Sequence, residues 1–130
     1  GLSFKKLEKA WSPLSVTDID RVYGDAFCKT DDAITGIGNN VTIEYTDMDF
    51  GERTCVVIEI TGRSPIEKNT IHVRASNGTN ETLNIAEFTY SDDYVTKRFP
   101  VNVLSGSQTV TLLFLPGSNF DLKGIRFVKI

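Results

Sequence analysis

The sequence predicts an all-β fold: a sandwich of two antiparallel sheets, of the jelly-roll kind. Three observations carry that expectation. About eight short runs alternate apolar and polar residues with a period of two, as a strand with one buried and one wet face requires. Turn signals such as Asn77-Gly78, Ser105-Gly106 and Pro116-Gly117 punctuate those runs. No segment keeps apolar residues at helical spacing for three turns, so little helix is expected.

Residues 1–15 carry no sustained period. Ser12-Pro13 reads as a turn, and the mixture of Lys, Glu and Trp11 resembles an interdomain strap, leaving 16–130 as the sandwich. From about Val16 the pattern is β. Val41, Ile43 and Tyr45 alternate with Thr42, Glu44 and Thr46, and Val56, Ile58 and Ile60 repeat the pattern after Asp49-Phe50-Gly51. Ile71, Val73 and Ala75 alternate with His72 and Arg74, which places His72 on a solvated face. Leu83 and Ile85, then Phe88 and Tyr90, follow the hairpin signal Asn77-Gly78. Phe99-Val101-Val103, Val110-Leu112-Phe114 and Ile125-Phe127 complete the set. The chain opens Gly1-Leu2-Ser3 without Met and stops inside its last run, as expected of one module cut from a longer protein.

The 130 residues suit one domain with a core that needs no staples. A net charge of -3 and a pI near 5.1 argue against a nucleic-acid partner, which calls for a basic stripe. The longest basic cluster is Lys5-Lys6, with Lys9 nearby. No apolar run approaches the roughly 20 residues of a membrane span. Compartment is left open. Cys28 and Cys55 both fall among strand-like residues, where a thiol acts as a small buried apolar group. Two free thiols are favoured over a bridge, and one His with two Cys makes a zinc site improbable.

Catalysis finds little support. Asp31-Asp32 and Asp92-Asp93 are the acidic pairs, but each sits between strands beside Thr or Ser, where Asp forms turns. Gly36-Ile37-Gly38 lacks the third glycine and helix of a phosphate cradle. The three Asn-x-Thr sequons at Asn40, Asn77 and Asn80 are best read as chance in a turn-rich chain. More informative is Asn119-Phe120-Asp121, whose polar pair shares one side of an extended chain. Asn119 could bind sugar hydroxyls and Asp121 could ligate calcium, or both could simply cap the turn.

Asp49-Phe50-Gly51-Glu52, Gly62-Arg63-Ser64-Pro65, Asn69–Val73 and Phe114–Asp121 resemble the galactose-binding-like module of some bacterial family-two glycoside hydrolases, mostly β-galactosidases. The likeness runs from about Asp18 to Ile130 and includes Tyr23-Gly24-Asp25 and Gly36–Asn40. At fold level the chain is similar to carbohydrate-binding modules of family six. That resemblance implies a sugar cleft between loops, with Asn119 matching the family's C-terminal Asn and Tyr94 one of its two aromatic platforms. The other platform falls near Ile34, which is not aromatic. It also implies a structural calcium, with Asp20 and Asp121 as ligands and Asp25 as a third candidate, although Leu122-Lys123-Gly124 departs from the family's spacing.

The function expected is therefore that of a non-catalytic accessory module of a β-galactosidase-like hydrolase. Tyr94 would stack on a galactoside while Asn119 and Asn39 orient it by hydrogen bonds. The alternative is a spacer, or a surface for a homodimer or for the parent's catalytic domain, marked by exposed apolar residues such as Trp11 and Phe4.

Overall fold

The structure, a computed structural model, describes residues 9–130. Phe4, expected with Trp11 to mark an interface, lies outside them, as do Lys5 and Lys6. The strands are β1 (Leu14–Ser15), β2 (Arg21–Tyr23), β3 (Cys28–Lys29), β4 (Ile34–Ile37), β5 (Val41–Asp49), β6 (Thr54–Arg63), β7 (Lys68–Ser76), β8 (Glu81–Thr89), β9 (Val95–Leu104), β10 (Ser107–Phe114) and β11 (Phe120–Lys129), with one 3-10 turn at Val16–Asp18. They form two antiparallel sheets. The first runs β3-β4-β11-β6-β9, with β1 also on β11, and the second runs β2-β5-β10-β7-β8.

The alternation read from the sequence decides what lies between the sheets. Val41, Ile43 and Tyr45, Val56, Ile58 and Ile60, Ile71 and Val73, and Val110, Leu112 and Phe114 are all buried. Aromatic rings seal both ends. Phe120 packs on Phe88 and Phe114 with centroids 4.9 and 5.5 Å apart. At the other end Phe50 lies edge-on to Trp11 at 5.3 Å and to Phe127 at 5.1 Å. Trp11 thus packs on the sandwich itself, with Ala10 and Leu14 buried beside it.

The structure corrects several readings. Both thiols are free but exposed, not buried. Cys28 lies on the edge strand β3, and Cys55 falls where β6 slips register between Thr54 and Val56, which takes it out of the alternation. His72 is half-buried rather than solvated, because it sits across from Leu113 and Ile85, and among the described residues its Nδ1 finds no hydrogen-bond partner. In β8 the apolar pairs are out of phase: Ala86 and Phe88 face the core, so Leu83 and Ile85 face outward, 45 and 56% exposed.

Candidate functional site

The outer face of the first sheet is where polar chemistry collects. Directly opposed residues share a face, and the register sets Arg126 beside Glu59 and Arg98, Gly124 beside Thr61 and Thr96, and Asp121 beside Arg63. The intervening residues Ile58, Ile60, Ile125 and Phe127 are core, so these rows point away from it. Pro13, Leu14, Ser15 and Asp18 line a groove of about 450 Å3 together with Glu59, Thr61, Thr96, Lys123 and Arg126. That size falls within the roughly 300–1,000 Å3 typical of small-ligand sites. Thr61 and Thr96 share a hydrogen bond of 2.7 Å, while Arg98 donates to Glu59 at 2.8 Å.

Tyr94 stands just before β9, at the Arg63 end of this face. Lys123 Nζ lies 4.5 Å from its ring centroid and the Arg63 guanidinium carbon 5.6 Å. Each such contact is worth about 0.5–1 kcal/mol at an exposed site. Beneath them Arg63 donates through Nε and Nη2 to Asp121, at 2.9 and 2.6 Å, and the Gly36 amide donates to the other carboxylate oxygen at 2.9 Å. Gly36 can aim its N–H there because it adopts φ +59, a region that disfavours side chains. The hydrogen bonds to Asp121, and next its charge, hold the Arg63 pKa above the usual value. Partial burial, and next the Asp121 charge, raise that of the Tyr94 phenol.

Asn119 and Asn39 belong to the β10–β11 turn, the first as part of it and the second through a bond to Gly117. Asn39 Oδ1 accepts the Gly117 amide at 2.7 Å, so its carbonyl is committed to holding the β10–β11 turn. The Asn119 side chain is exposed and makes no hydrogen bond among the described residues. Its backbone is clamped instead: Asn69 Oδ1 accepts the Asn119 N–H at 2.9 Å and Asn69 Nδ2 donates to the Asn119 carbonyl at 2.8 Å. A third bond runs from Asn69 Nδ2 to Ser64 Oγ at 2.8 Å. Asn69 is buried and shares the parity of Ile71 and Val73. A polar residue in phase with the core face was the signal that could have marked it. Tyr94 thus belongs to the Arg63–Asp121 set, and Asn119 and Asn39 to the bonds of the β10–β11 turn. Nothing in one sequence could reveal that Arg63 opposes Asp121.

The carboxylates expected to hold calcium lie in three separate hydrogen-bond sets. Asp20 accepts the Thr46 amide at 2.7 Å and the Lys9 ammonium at 3.1 Å, and Lys9 also donates to the Thr46 carbonyl at 2.5 Å. Asp25 accepts from Asn40 at 3.3 Å, and Asp121 faces Arg63 and Gly36 as above. Calcium takes about six to eight oxygens. Among the described residues no group of three or more His, Cys, Asp or Glu side chains could hold a metal. Two of the three carboxylates already face cations of the protein itself, so this donor set does not fit a calcium ion.

No family model matches the sequence, and no curated protein does. Solved structures do. A family 6 carbohydrate-binding module from Clostridium stercorarium, in complex with cellobiose, superposes with a TM-score of 0.77 at 21% identity, covering 93% of this chain and 95% of that one. The fold is that of a family 6 carbohydrate-binding module. A β-1,3-glucan-binding module from Bacillus halodurans gives 0.73 at 18% identity, covering 91 and 96%. A glycoside hydrolase family 43 arabinoxylan arabinofuranohydrolase from Bacillus subtilis, in complex with cellotetraose, gives 0.72 at 14% identity, covering 93% of this chain and 28% of the enzyme. The likeness to a family-two hydrolase has no counterpart among these three.

Proposed function

We propose that this chain is a non-catalytic carbohydrate-binding module, an accessory to a glycoside hydrolase, with weak affinity for galactosides. The observation that carries the reading is an outer-face groove lined by the Thr61 and Thr96 hydroxyls and by Lys123, whose ammonium lies against the Tyr94 ring, on a fold whose neighbours are seen with sugars. An aromatic plate with a few polar groups is the usual means of holding a sugar ring. The galactoside preference and the β-galactosidase-like parent rest on the sequence resemblance. One plate and a few hydrogen bonds give a Kd of about millimolar to high micromolar. The exposed Asn119 amide at the adjoining turn supplies a further donor and acceptor for an extended chain.

Titration of galactose, lactose, cellobiose and xylo-oligosaccharides, followed by amide shifts, tests the reading. Expected are shifts at Tyr94, Thr61, Thr96 and Lys123 with lactose, and a loss of about tenfold in affinity for Tyr94→Ala, or about 1.4 kcal/mol. No shift with any of these sugars at high millimolar concentration overturns it. The competing spacer or dimer reading draws on Leu83 and Ile85, exposed on the edge strand β8. It predicts a concentration-dependent dimer in sedimentation and no sugar response.

A further inference from the structure

We propose that the groove selects glycans carrying an anionic substituent, a uronate carboxylate or a sulfate ester, with Lys123 and Arg126 as the cations that meet it. The inference rests on the glycan-binding reading and names the substrate class of that same site. The chain is net negative at -3, yet Lys123 and Arg126 line the groove beside Asp18 and Glu59 and, among the described residues, neither cation is ion-paired to them. The acids on this face are committed. Glu59 receives Arg98, Asp121 receives Arg63 and Gly36, and Asp93 accepts the Tyr94 amide. Asp18 has no cationic partner among the described residues but accepts the Ser15 N–H at 2.8 Å and its hydroxyl at 3.3 Å, beside the groove. Lys123 and Arg126 are exposed, and among the described residues neither has an ion-pair partner.

The Tyr94 ring makes the same point from the other side. With Lys123 and Arg63 both against it, a neutral sugar that stacks on a covered ring face must first displace a cation. An anionic substituent needs no such displacement. It pairs with Lys123 where the ammonium already sits, so the charge contact requires no stacking on the covered face. Arg126 lies along the same strand, on the Glu59 row, and lines the same groove. A second charged residue of a polymer therefore has its own partner, and arginine offers a fork that matches carboxylate or sulfate.

The test titrates the intact chain with four ligands of matched length: galacto-oligosaccharide, oligogalacturonate, sulfated galacto-oligosaccharide and neutral xylo-oligosaccharide. Expected is at least about tenfold tighter binding of one or both acidic ligands than of the neutral ones, weakening as salt rises because exposed charges are screened. The carboxylate and sulfate arms decide which anion is preferred. Lys123→Met should remove about tenfold of that preference while leaving the melting temperature unchanged, and Lys123→Arg should restore it. Equal affinity for acidic and neutral ligands, or a preference indifferent to salt and to Lys123→Met, overturns the inference while glycan binding stands. Binding of none of the four overturns both.

Discussion

Tyr45 is fully buried, and its hydroxyl finds no hydrogen-bond partner among the described residues. Desolvation first, then the charges of Asp18 and Asp20, push its pKa above the ordinary value of 10.0. The sign follows from linkage. The folded state holds the phenol proton more tightly than the unfolded state, so this contribution is complete below about pH 10 and is lost as pH rises beyond it. Tyr45→Phe should raise stability at neutral pH by about 1 kcal/mol, because it removes an unpaired buried polar group. It should also flatten the loss of stability above about pH 10 in urea unfolding. A variant less stable than wild type at neutral pH would show that the hydroxyl has a partner. Asn69 is the opposite case, a buried amide whose two N–H donors and carbonyl oxygen are all engaged. Asn69→Ala strands the Asn119 N–H and carbonyl and should cost about 2–4 kcal/mol, read from the urea midpoint at constant slope.

At the scale of the element, Gly62 is set by crowding, not by its dihedrals. A Cβ there would collide with the Phe120 ring and with the Asp121 carbonyl at 2.7 Å. Phe120 is wedged between Phe88 and Phe114 and has nowhere to swing. Gly62→Ala should therefore cost about 1–3 kcal/mol, and an unchanged urea midpoint would mean that the β6–β11 pairing relaxes freely. The same physics explains what was readable in advance. β5, β6, β7, β10 and β11 are long and buried on one face, so they carry a period of two. β2, β3 and β4 span two to four residues, too few for any period to show. β8 defeated the pattern because Leu83 and Ile85 are apolar on the outward phase, and Cys55 because a register slip moves it off the alternation. The site was readable only in part. Tyr94 and Asn119 lie at loop positions that the resemblance marks, whereas the pairing of Arg63 with Asp121 is fixed by β6–β11 register alone.

For the whole molecule, the question is what cation ties the N-terminal segment to the sandwich. Lys9 bridges the Asp20 carboxylate and the Thr46 carbonyl, joining the start of the described chain to β5. Burial works against the Asp20 charge, but hydrogen bonds from Thr46 and Lys9 outweigh it and hold the pKa below its ordinary value of 3.8. That contribution is present above pH 3.8 and lost as pH falls through the lower folded value. Because the pair is partly exposed, Lys9→Met should cost at most about 1 kcal/mol and soften the acid limb of the stability profile. A protein ammonium in this position leads to a sharper expectation about metal. A calcium site present only in the folded state would add about 4 kcal/mol at a thousandfold excess over Kd. For a chain of this size that is a rise in Tm on the order of ten degrees. With Asp20 facing Lys9 and Asp121 facing Arg63, the melts in chelator and in excess calcium should instead coincide within about a degree. A rise of several degrees on adding calcium would mean that the ion displaces Lys9 from Asp20. Lys9→Met should then respond to calcium more strongly than wild type, since the competing ammonium is gone.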